Sequence, residues 1–272
     1  MKVGFIGLGS IGGPMARRLA QSGFDVTGCD AVPAALEAFD EPGTGRQSDP
    51  VALARAADVV AVCVRMDSQL EALVSDGSLF EALGSGGLFL IFSTVAPNLV
   101  RKIATLGRDY GVEVIDAGVS GGPPAALRGE LAIYVGGEPE SVQRAHPVLD
   151  ALGKLVLHLG PAGRGMEGKL LNNLVSIANY AMSAAILDLG EKLHFDREQL
   201  RQALMAGSAD GFAMKVIPSL LEPGNAGGLR QLLGKDLEHA RDLAAPDDAS
   251  LSPLVAAAEV MLRRLEQAAL QA

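Results

Sequence analysis

The stretch 3-VGFIGLGSIGGPMARRLAQSGFDVTGCD-30 decides how the first half of this chain folds. An apolar run ends at a glycine, a helical pattern follows, and a second apolar run ends at Asp30. Gly7, Gly9 and Gly12 give the spacing G-x-G-x-x-G between the first run and the helix. In such a turn the first glycine permits a tight bend, the second lets a pyrophosphate approach the backbone, and the third allows close packing of helix on strand. The stretch therefore predicts strand, glycine-rich turn, helix and second strand.

This turn is a candidate dinucleotide site, because the free N–H groups of the first helical turn face an anion there. Asp30 closes the second strand, where a carboxylate can accept hydrogen bonds from the adenosine ribose hydroxyls. It would repel a 2′-phosphate, and no Arg follows in CDAVPAAL, so we predict NAD, with NADP disfavoured. Two alternatives stay open: a glycine turn needed only for packing, with Asp30 as a helix cap, or a methyltransferase turn. The candidate cofactor residues of the turn are Gly7, Leu8, Gly9, Ser10, Ile11 and Gly12.

Composition limits the kinds of partner. The chain has 272 residues, enough for two domains, and 23 Lys and Arg against 32 Asp and Glu give a net charge of −9. An acidic chain is a poor nucleic-acid binder, so we expect a small metabolite. The two cysteines fit no metal or disulfide framework, which favours a reducing cytoplasm. The four histidines have no metal-ligand spacing, and we predict no metal: His146, His158, His194 and His239.

The chain divides into two patterns. Val- and Ile-rich runs alternate with helical patterns through the first half, which is typical of a doubly wound parallel sheet. After about Gly160 only helical segments follow, near 169–190, 196–207, 211–221, 228–243 and 252–270. We predict an α/β fold, with an N-terminal Rossmann-type doubly wound sheet at 1–161 and an all-helical C-terminal domain at 162–272. We interpret 41–50, EPGTGRQSDP, as a loop, and 174–189, LVSIANYAMSAAILDL, as a buried helix with no membrane span.

Four segments in order resemble the β-hydroxyacid dehydrogenase family, which includes 3-hydroxyisobutyrate dehydrogenase and tartronate semialdehyde reductase. They are GFIGLGSIGGPMARRL (4–19), STVAP (93–97), DAGVSGGPPAALRGELAIYVGG (116–137) and GRGMEGKLLNN (163–173), followed by KD at 235–236. The resemblance spans nearly the whole chain. It implies an NAD(P)-dependent oxidoreductase of CH–OH donors that assembles as a homodimer or homotetramer.

Lys169 is the candidate catalytic residue. It lies on a predicted helix with Asn172 and Asn173 three and four residues later, on one face. Oxidising an alcohol requires a base for the hydroxyl proton, and a lysine can serve when its surroundings lower its pKa. Taken alone, Lys169 is more simply a solvated helix residue. The resemblance makes it the general acid/base and makes Asn173 the residue that orients the substrate.

The segment VSGGPP is the candidate carboxylate site. Ser120, Gly121 and Gly122 offer backbone N–H groups and one hydroxyl in a turn without bulky side chains, which suits a carboxylate. The alternative is a glycine-rich connection between strands. The resemblance identifies this turn as the clamp for the substrate carboxylate.

Four further residues are candidate cofactor contacts. Thr94 follows the run GLFLIF, at the end of a strand where doubly wound sheets bind ligands. The resemblance gives it the nicotinamide side, and the alternative is a cap for the helix after it. Cys63 and Val64 end another strand at this edge. Similar proteins bring Lys235 across the interdomain cleft to the nicotinamide, and Asp236 is then a local charge partner or a surface residue.

Several positions depart from the family pattern. Gly118 stands where a Pro is usual, residues 123–125 alter the loop after the clamp, and Ile91 replaces an acidic residue. His194 lies where Gly is common and Ala185 where Glu is common, and we expect these changes to affect helix packing or subunit contacts. The changes at Gly118, residues 123–125 and Ile91 leave every proposed catalytic residue in place, but they could reshape the substrate end of the site. The pattern therefore does not name the substrate.

Three hypotheses follow for the function. The leading one is an NAD-dependent dehydrogenase that oxidises a small 3-hydroxy acid, or reduces the corresponding semialdehyde or keto acid, with Lys169 as general acid/base. The second is an imine or ketone reductase on the same scaffold, and the third is a non-catalytic NAD-binding sensor. The apolar stripes of the late helices, above all 252–270, could build a subunit interface.

Overall fold

The computed structural model describes residues 1–245 and 248–271. By contacts within the chain it divides into two units, Met1–Lys169 and Leu170–Ala272. The predicted division at residues 161 and 162 lies close to this point and stays a prediction.

The first unit is a doubly wound sheet. The strand order is β3-β2-β1-β4-β5-β6-β7-β8. The strands after β1 are added first on one side of it and then, from β4 onward, on the other side. Such folds bind nucleotides at this switch point between β1 and β4. Its strands are β1 (Lys2–Ile6), β2 (Asp25–Cys29), β3 (Gly45–Arg46), β4 (Val59–Val62), β5 (Leu88–Ile91), β6 (Glu113–Ser120), β7 (Leu131–Gly136) and β8 (Gly153–Gly160). Its helices are α1 (Gly12–Gln21), α2 (Pro33–Glu37), α3 (Pro50–Arg55), α4 (Asp67–Val74), α5 (Ser78–Leu83), α6 (Pro97–Asp109), α7 (Gly122–Arg128), α8 (Pro139–Leu152) and the start of α9 (Arg164–Lys192). The predicted fold class is confirmed.

Two details of the predicted sheet are wrong. Strands β6 and β7 pair antiparallel, whereas the prediction was a parallel sheet. Only residues 121–130 connect them, and a parallel crossover needs a dozen residues or more. The segment 41–50, predicted as a loop, contains β3, which pairs with β2. A strand of two residues is too short to carry a periodic signal.

The sheet is buried on both faces. Every residue of β4 and β5 is buried. One apolar cluster forms around Phe5 and Met15, and a second around Ile6 and Phe89. Burial on both faces explains why these strands read as continuous apolar runs in the sequence.

The second unit is helical. It contains most of α9, then α10 (Arg197–Met205), α11 (Phe212–Leu220), α12 (Pro223–Arg241) and α13 (Ser252–Ala269). Its core is built around Leu174, Ile177, Leu237, Met261 and Leu265. The five predicted helical segments correspond to these helices in order, although α9 and α12 each begin about one turn earlier than predicted.

Helix α9 is only partly buried, so the prediction of a buried helix is wrong for half of its surface. Ile177 is 1% exposed, whereas Met182 is 60% exposed. Among the described residues, α9 is the one helix whose length and composition would suit a membrane span, with 44% of its most apolar window buried. A core helix of a soluble protein passes the same test, so this is weak evidence for a span.

Candidate active site

The predicted cofactor residues follow strands whose ends are aligned. Ile6, the last residue of β1, is in register with Cys29 of β2 and Val62 of β4, and Val62 is in register with Ile91 of β5. The segments after these strands therefore start side by side at one edge of the sheet. This edge, which we call the cofactor edge, is formed by residues 7–12, 30, 63–64 and 93–94.

The three motif glycines have different reasons to be glycine. Gly7 has a φ of +92°, and a Cβ there would lie 2.4 Å from the carbonyl oxygen of Cys63. A Cβ at Gly12 would lie 2.0 Å from the carbonyl oxygen of Gly7. At Gly9, by contrast, a Cβ would meet nothing within 4 Å. The protein's own packing requires Gly7 and Gly12 but leaves the face of Gly9 open, which fits the close approach of a pyrophosphate.

Asp30 fastens the glycine-rich turn. Its Oδ2 accepts a hydrogen bond from the backbone N–H of Leu8 at 2.7 Å, and its Oδ1 accepts one from that of Val32 at 2.8 Å. An ionised carboxylate has about four lone-pair sites, so two backbone bonds leave acceptor capacity for ribose hydroxyls. Asp30 therefore stabilises the backbone of the turn, and its contact with the ribose stays a prediction.

Cys63 and Val64 lie at the cofactor edge through their backbones. The N–H of Cys63 donates to the carbonyl of Ile6 at 2.8 Å. The N–H of Val64 donates to Oγ of the buried Ser93 at 2.7 Å. Burial raises the pKa of the Cys63 thiol to about 12, so it stays protonated and unreactive. Sequence reasoning missed Ser93, a hydroxyl just after a buried strand.

Thr94 does not cap the following helix. The N-cap of α6 is Ala96, whose N–H donates to Oδ2 of Asp67 at 2.9 Å. The alternative role of Thr94 as a helix cap is therefore wrong. Thr94 is half-buried just after β5, and its contact with the nicotinamide stays a prediction.

Strand β6 continues past the cofactor edge. Its Asp116 pairs with Ile91, the last residue of β5, and the strand runs on to Ser120, about 13 Å further. Gly121 and Gly122 then turn into α7 with φ values of +135° and +74°. This turn needs both glycines whether or not a carboxylate binds there. The clamp formed by Ser120, Gly121 and Gly122 stays a prediction.

Lys169 is buried against this extension of β6. The residue is 7% exposed, and a Cβ at Gly118 would lie 2.6 Å from its Cβ and 2.9 Å from its Cγ. The interpretation of Lys169 as a solvated helix residue is therefore wrong. In this chain the lysine stem packs directly against Gly118, one of the positions that depart from the family pattern.

Asp116 joins α9 to β6, and sequence reasoning missed it. It is fully buried, and it accepts hydrogen bonds from the N–H of Gly163 (2.8 Å), just before α9, and from that of Met166 (2.7 Å) in the first turn of α9. Desolvation raises its pKa, although these hydrogen bonds and Arg101 act in the opposite direction. An acid within the apolar part of the strand EVIDAGVS was the available signal.

In the second unit, Asp236 organises two predicted site residues. It is 7% exposed, so the alternative that it is a surface residue is wrong. Its Oδ2 accepts a hydrogen bond from Nδ2 of Asn173 at 2.7 Å. Its Oδ1 lies 3.2 Å from Nζ of Lys235, an ion pair outside hydrogen-bond geometry. The contact of Lys235 with the nicotinamide stays a prediction.

The carboxylate of Asp236 fixes the orientation of the Asn173 amide. An ionised carboxylate only accepts hydrogen bonds, so the amide nitrogen must face it. The amide oxygen of Asn173 accepts from Nδ2 of Asn172 at 3.2 Å. One N–H of Asn173 is left to donate to a substrate oxygen, which agrees with the predicted orienting role.

The second unit also contains an open cavity of about 380 Å³ that sequence reasoning missed. On α9 it is lined by hydroxyl and amide groups and also by the apolar side chains of Met182 and Ile186. Burial raises the pKa of Tyr180, so its hydroxyl stays protonated. The polar lining residues are Ser176, Asn179, Tyr180, Ser183 and Asp210.

The histidines take part in local contacts. Nε2 of His158 lies 2.8 Å from the carbonyl oxygen of Gly137, and Nδ1 of His146 lies 3.3 Å from Oδ1 of Asp150. Within residues 1–245 and 248–271, no three His, Cys, Asp or Glu residues form a group that could hold a metal ion. The absence of a metal stays a prediction.

Comparison with known proteins identifies the family. The model of the NAD binding domain of 6-phosphogluconate dehydrogenase matches residues 2–160, and that of the NAD-binding domain of NADP-dependent 3-hydroxyisobutyrate dehydrogenase matches 163–272. The NAD-dependent L-serine dehydrogenase of Pseudomonas aeruginosa is 31% identical over 97% of this chain and 92% of its own. This chain belongs to the β-hydroxyacid dehydrogenase family. It is an oxidoreductase, and the imine reductase and sensor hypotheses are not favoured.

Solved structures of related enzymes have the same fold. The Mycobacterium tuberculosis 3-hydroxyisobutyrate dehydrogenase with L-serine superposes with a TM-score of 0.82 at 27% identity, over 96% of this chain and 92% of that one. Psf3 in complex with NADP+ and 2-OPP superposes with a TM-score of 0.84 at 27% identity, over 95% and 92%. Members of this fold thus include an NADP complex as well as an NAD-dependent enzyme, which leaves the coenzyme of this β-hydroxyacid dehydrogenase to be tested.

Proposed function

We propose that this enzyme oxidises a small β-hydroxy acid with NAD, and that Lys169 is its general base and, in the reverse direction, its general acid. The observation that carries the proposal is the place of Lys169. Its stem lies against β6 at Gly118, two residues beyond Asp116, which pairs with the last residue of β5. A buried lysine whose stem lies two residues beyond the level of the cofactor edge supports its role as the proton acceptor for the alcohol.

The cofactor edge fits a dinucleotide. The turn at residues 7–12, open at Gly9, would hold the pyrophosphate, and Asp30 would accept the ribose hydroxyls. A bound NAD would supply the acceptor for the hydride of the carbinol carbon. The negative charge of Asp30 disfavours a 2′-phosphate, and this supports NAD over NADP.

Two groups would orient the alcohol. Ser120 with the N–H groups of Gly121 and Gly122 suits the substrate carboxylate, and the remaining N–H of Asn173 suits a further substrate oxygen. Fixing the carbinol carbon in this way provides much of the reduction in barrier. Lys169, shielded from bulk water, would accept the hydroxyl proton as the hydride leaves, so that no charge accumulates on the oxygen.

We propose L-serine as the first substrate to test. It is named for the P. aeruginosa relative and for the M. tuberculosis structure. The cavity along α9 has hydroxyl and amide groups beside its apolar side chains, and these groups would accept hydrogen bonds from a polar substituent or donate them to it. L-serine has such a substituent, whereas 3-hydroxyisobutyrate has a methyl group.

Initial rates with L-serine, 3-hydroxyisobutyrate, glycerate, threonate and phenylserine, each with NAD and NADP, test the proposal. Lys169→Ala should lower kcat by about 10²- to 10⁴-fold without weakening NADH binding. Lys192→Ala, an exposed lysine at the other end of α9, is the matched control and should leave kcat unchanged.

Three outcomes would count against the proposal. Wild-type turnover by Lys169→Ala would remove the lysine from the chemistry. A clear preference for NADP would overturn the role of Asp30. Tight NADH binding without turnover of any hydroxy acid would favour the sensor.

We also propose that the enzyme is a homodimer built along α9. The stripe predicted on α13 contributes Ala258, Met261 and Leu265 to the unit's own core. The exposed apolar residues of α9, with Leu193 just after it, recur every three or four residues apart from one wider step, as in a helix–helix seam. They are Leu171, Val175, Met182, Ile186, Leu189 and Leu193. Replacing two of these residues with Glu should give a monomer in sedimentation experiments.

A further inference from the structure

We propose that Gly118 and Asp116 of β6 are positioning residues for Lys169: Gly118 admits the lysine stem and Asp116 holds the helix that carries it. The proposal rests on the proposed role of Lys169 in proton transfer. Neither residue touches the reacting atoms in this scheme, and both act through the lysine.

In this chain the space at Gly118 is occupied by the lysine stem, and the backbone conformation does not require a glycine. Its φ lies outside the positive range that favours glycine, so another residue could adopt its conformation. A Cβ there, however, would lie 2.6 Å from Cβ of Lys169, and real Cβ atoms essentially never come closer than 3.0 Å. Any side chain at residue 118 must therefore displace the lysine stem or the strand.

Neighbouring strands limit how far β6 can shift. Gly118 pairs with Tyr134 of β7, and the pairing of β6 with β5 ends two residues earlier, at Asp116. The strand is thus paired on both sides at Asp116 and on the β7 side at Gly118, inside a close-packed core. We therefore expect the lysine stem to move when a side chain is added at residue 118.

Asp116 fixes α9 along the same strand. Its two oxygens hold the N–H groups of Gly163 and Met166, and Lys169 follows Met166 by three residues, about one turn. Gly136 leaves room for this carboxylate, since a Cβ there would lie 2.4 Å from Oδ1 of Asp116.

Helix and strand also touch beside this carboxylate. A Cβ at Gly165, in the first turn of α9, would lie 2.4 Å from the carbonyl oxygen of Tyr134. Contacts of backbone on backbone leave no flexible side chain to absorb a shift. The first turn of α9 is thus set by β6 and β7 together, and the lysine stem one turn later packs on β6. A displacement of about 1 Å in a reacting group can cost about 10²-fold in rate.

A double-mutant cycle tests whether Gly118 acts through Lys169. Gly118→Ala should lower kcat at least about ten-fold with NADH affinity unchanged. In the Lys169→Ala background the same change should alter the residual rate by less than about two-fold. Gly107→Ala is the matched control, because its Cβ would meet Val114 at the opposite end of β6 at 2.7 Å. An equal loss from Gly118→Ala in both backgrounds would overturn the proposal.

Labelling of lysines gives a readout independent of turnover. Reductive methylation followed by mass spectrometry reports the accessibility of Lys169, with the exposed Lys154 as internal reference. Gly118→Ala and Asp116→Asn should each raise the relative labelling rate of Lys169 about ten-fold, and Gly107→Ala should not. Unchanged labelling in both variants refutes the positioning role. Wild-type activity of Lys169→Ala would instead refute the proposed function, and the labelling result would still decide where β6 places the amine.

Discussion

The two units of this enzyme hold their functional groups by different means. In the first unit the contacts are made to main chain: Asp30 accepts from the N–H of Leu8, and Asp116 accepts from that of Met166. In the second unit the contacts join side chains, as between Asp236 and Asn173. A site built on backbone restricts residue type at particular positions, above all to glycine, whereas a network of side chains can be built from many residue pairs.

The sharpest test of this contrast lies within the glycine-rich turn. Gly12→Ala places a Cβ 2.0 Å from a backbone oxygen and should lower the free energy of unfolding by about 3 kcal/mol. Gly9→Ala meets nothing within 4 Å and should change it by less than about 0.5 kcal/mol, while weakening NADH binding. Urea denaturation and NADH titration measure the two effects. Equal destabilisation by both changes would show that the turn does not distinguish packing from binding.

The same contrast explains what the sequence predicts. Gly7 and Gly12 stand at positions where steric crowding allows no other residue, so their spacing is visible in the chain. The bonds of Asp116 to Gly163 and of Asp236 to Asn173 join residues about fifty or more positions apart, and no local pattern announces them. Helical periodicity predicted the second unit, but the partners of its polar side chains depend on the packing of the helices.

The ion pairs of the second unit allow a test with pH. Partial burial alone raises the pKa of Asp188, but hydrogen bonds and charge from Arg264 and Arg197 hold it below its usual range. A lowered pKa stabilises the folded state above about pH 4, and this contribution is lost as the pH falls through the folded-state pKa.

Asp188→Asn should therefore lower the free energy of unfolding by about 1 kcal/mol at pH 7, a figure discounted for exposure. The difference from wild type should close below pH 4, as measured by thermal unfolding at several pH values. Asp210→Asn removes the more exposed pair with Lys215 and should have no measurable effect at any pH. A difference in stability between wild type and Asp188→Asn that grows in acid would contradict the lowered pKa of Asp188.

The smallest expected effect concerns His194, which lies just after α9. It is the one residue other than glycine with a positive φ, 65°, among those the structure describes. This is the left-handed conformation that often ends helices and favours glycine, which agrees with the family pattern at this position. His194→Gly should raise the free energy of unfolding by about 0.5 to 1 kcal/mol. His194→Ala keeps the strain and should give no gain; a gain equal to that of glycine would show that strain is not the cause.

The bond from Asp30 to the N–H of Leu8 has a consequence for redesign of coenzyme preference. Exchanging this acid for a smaller or basic side chain is the obvious route to an NADP-dependent variant, but the exchange also removes a hydrogen bond from the turn that we propose binds the phosphates. A single substitution would then weaken the binding of both NAD and NADP. A successful switch has to supply a new anchor for the N–H of Leu8 before it adds a positive charge.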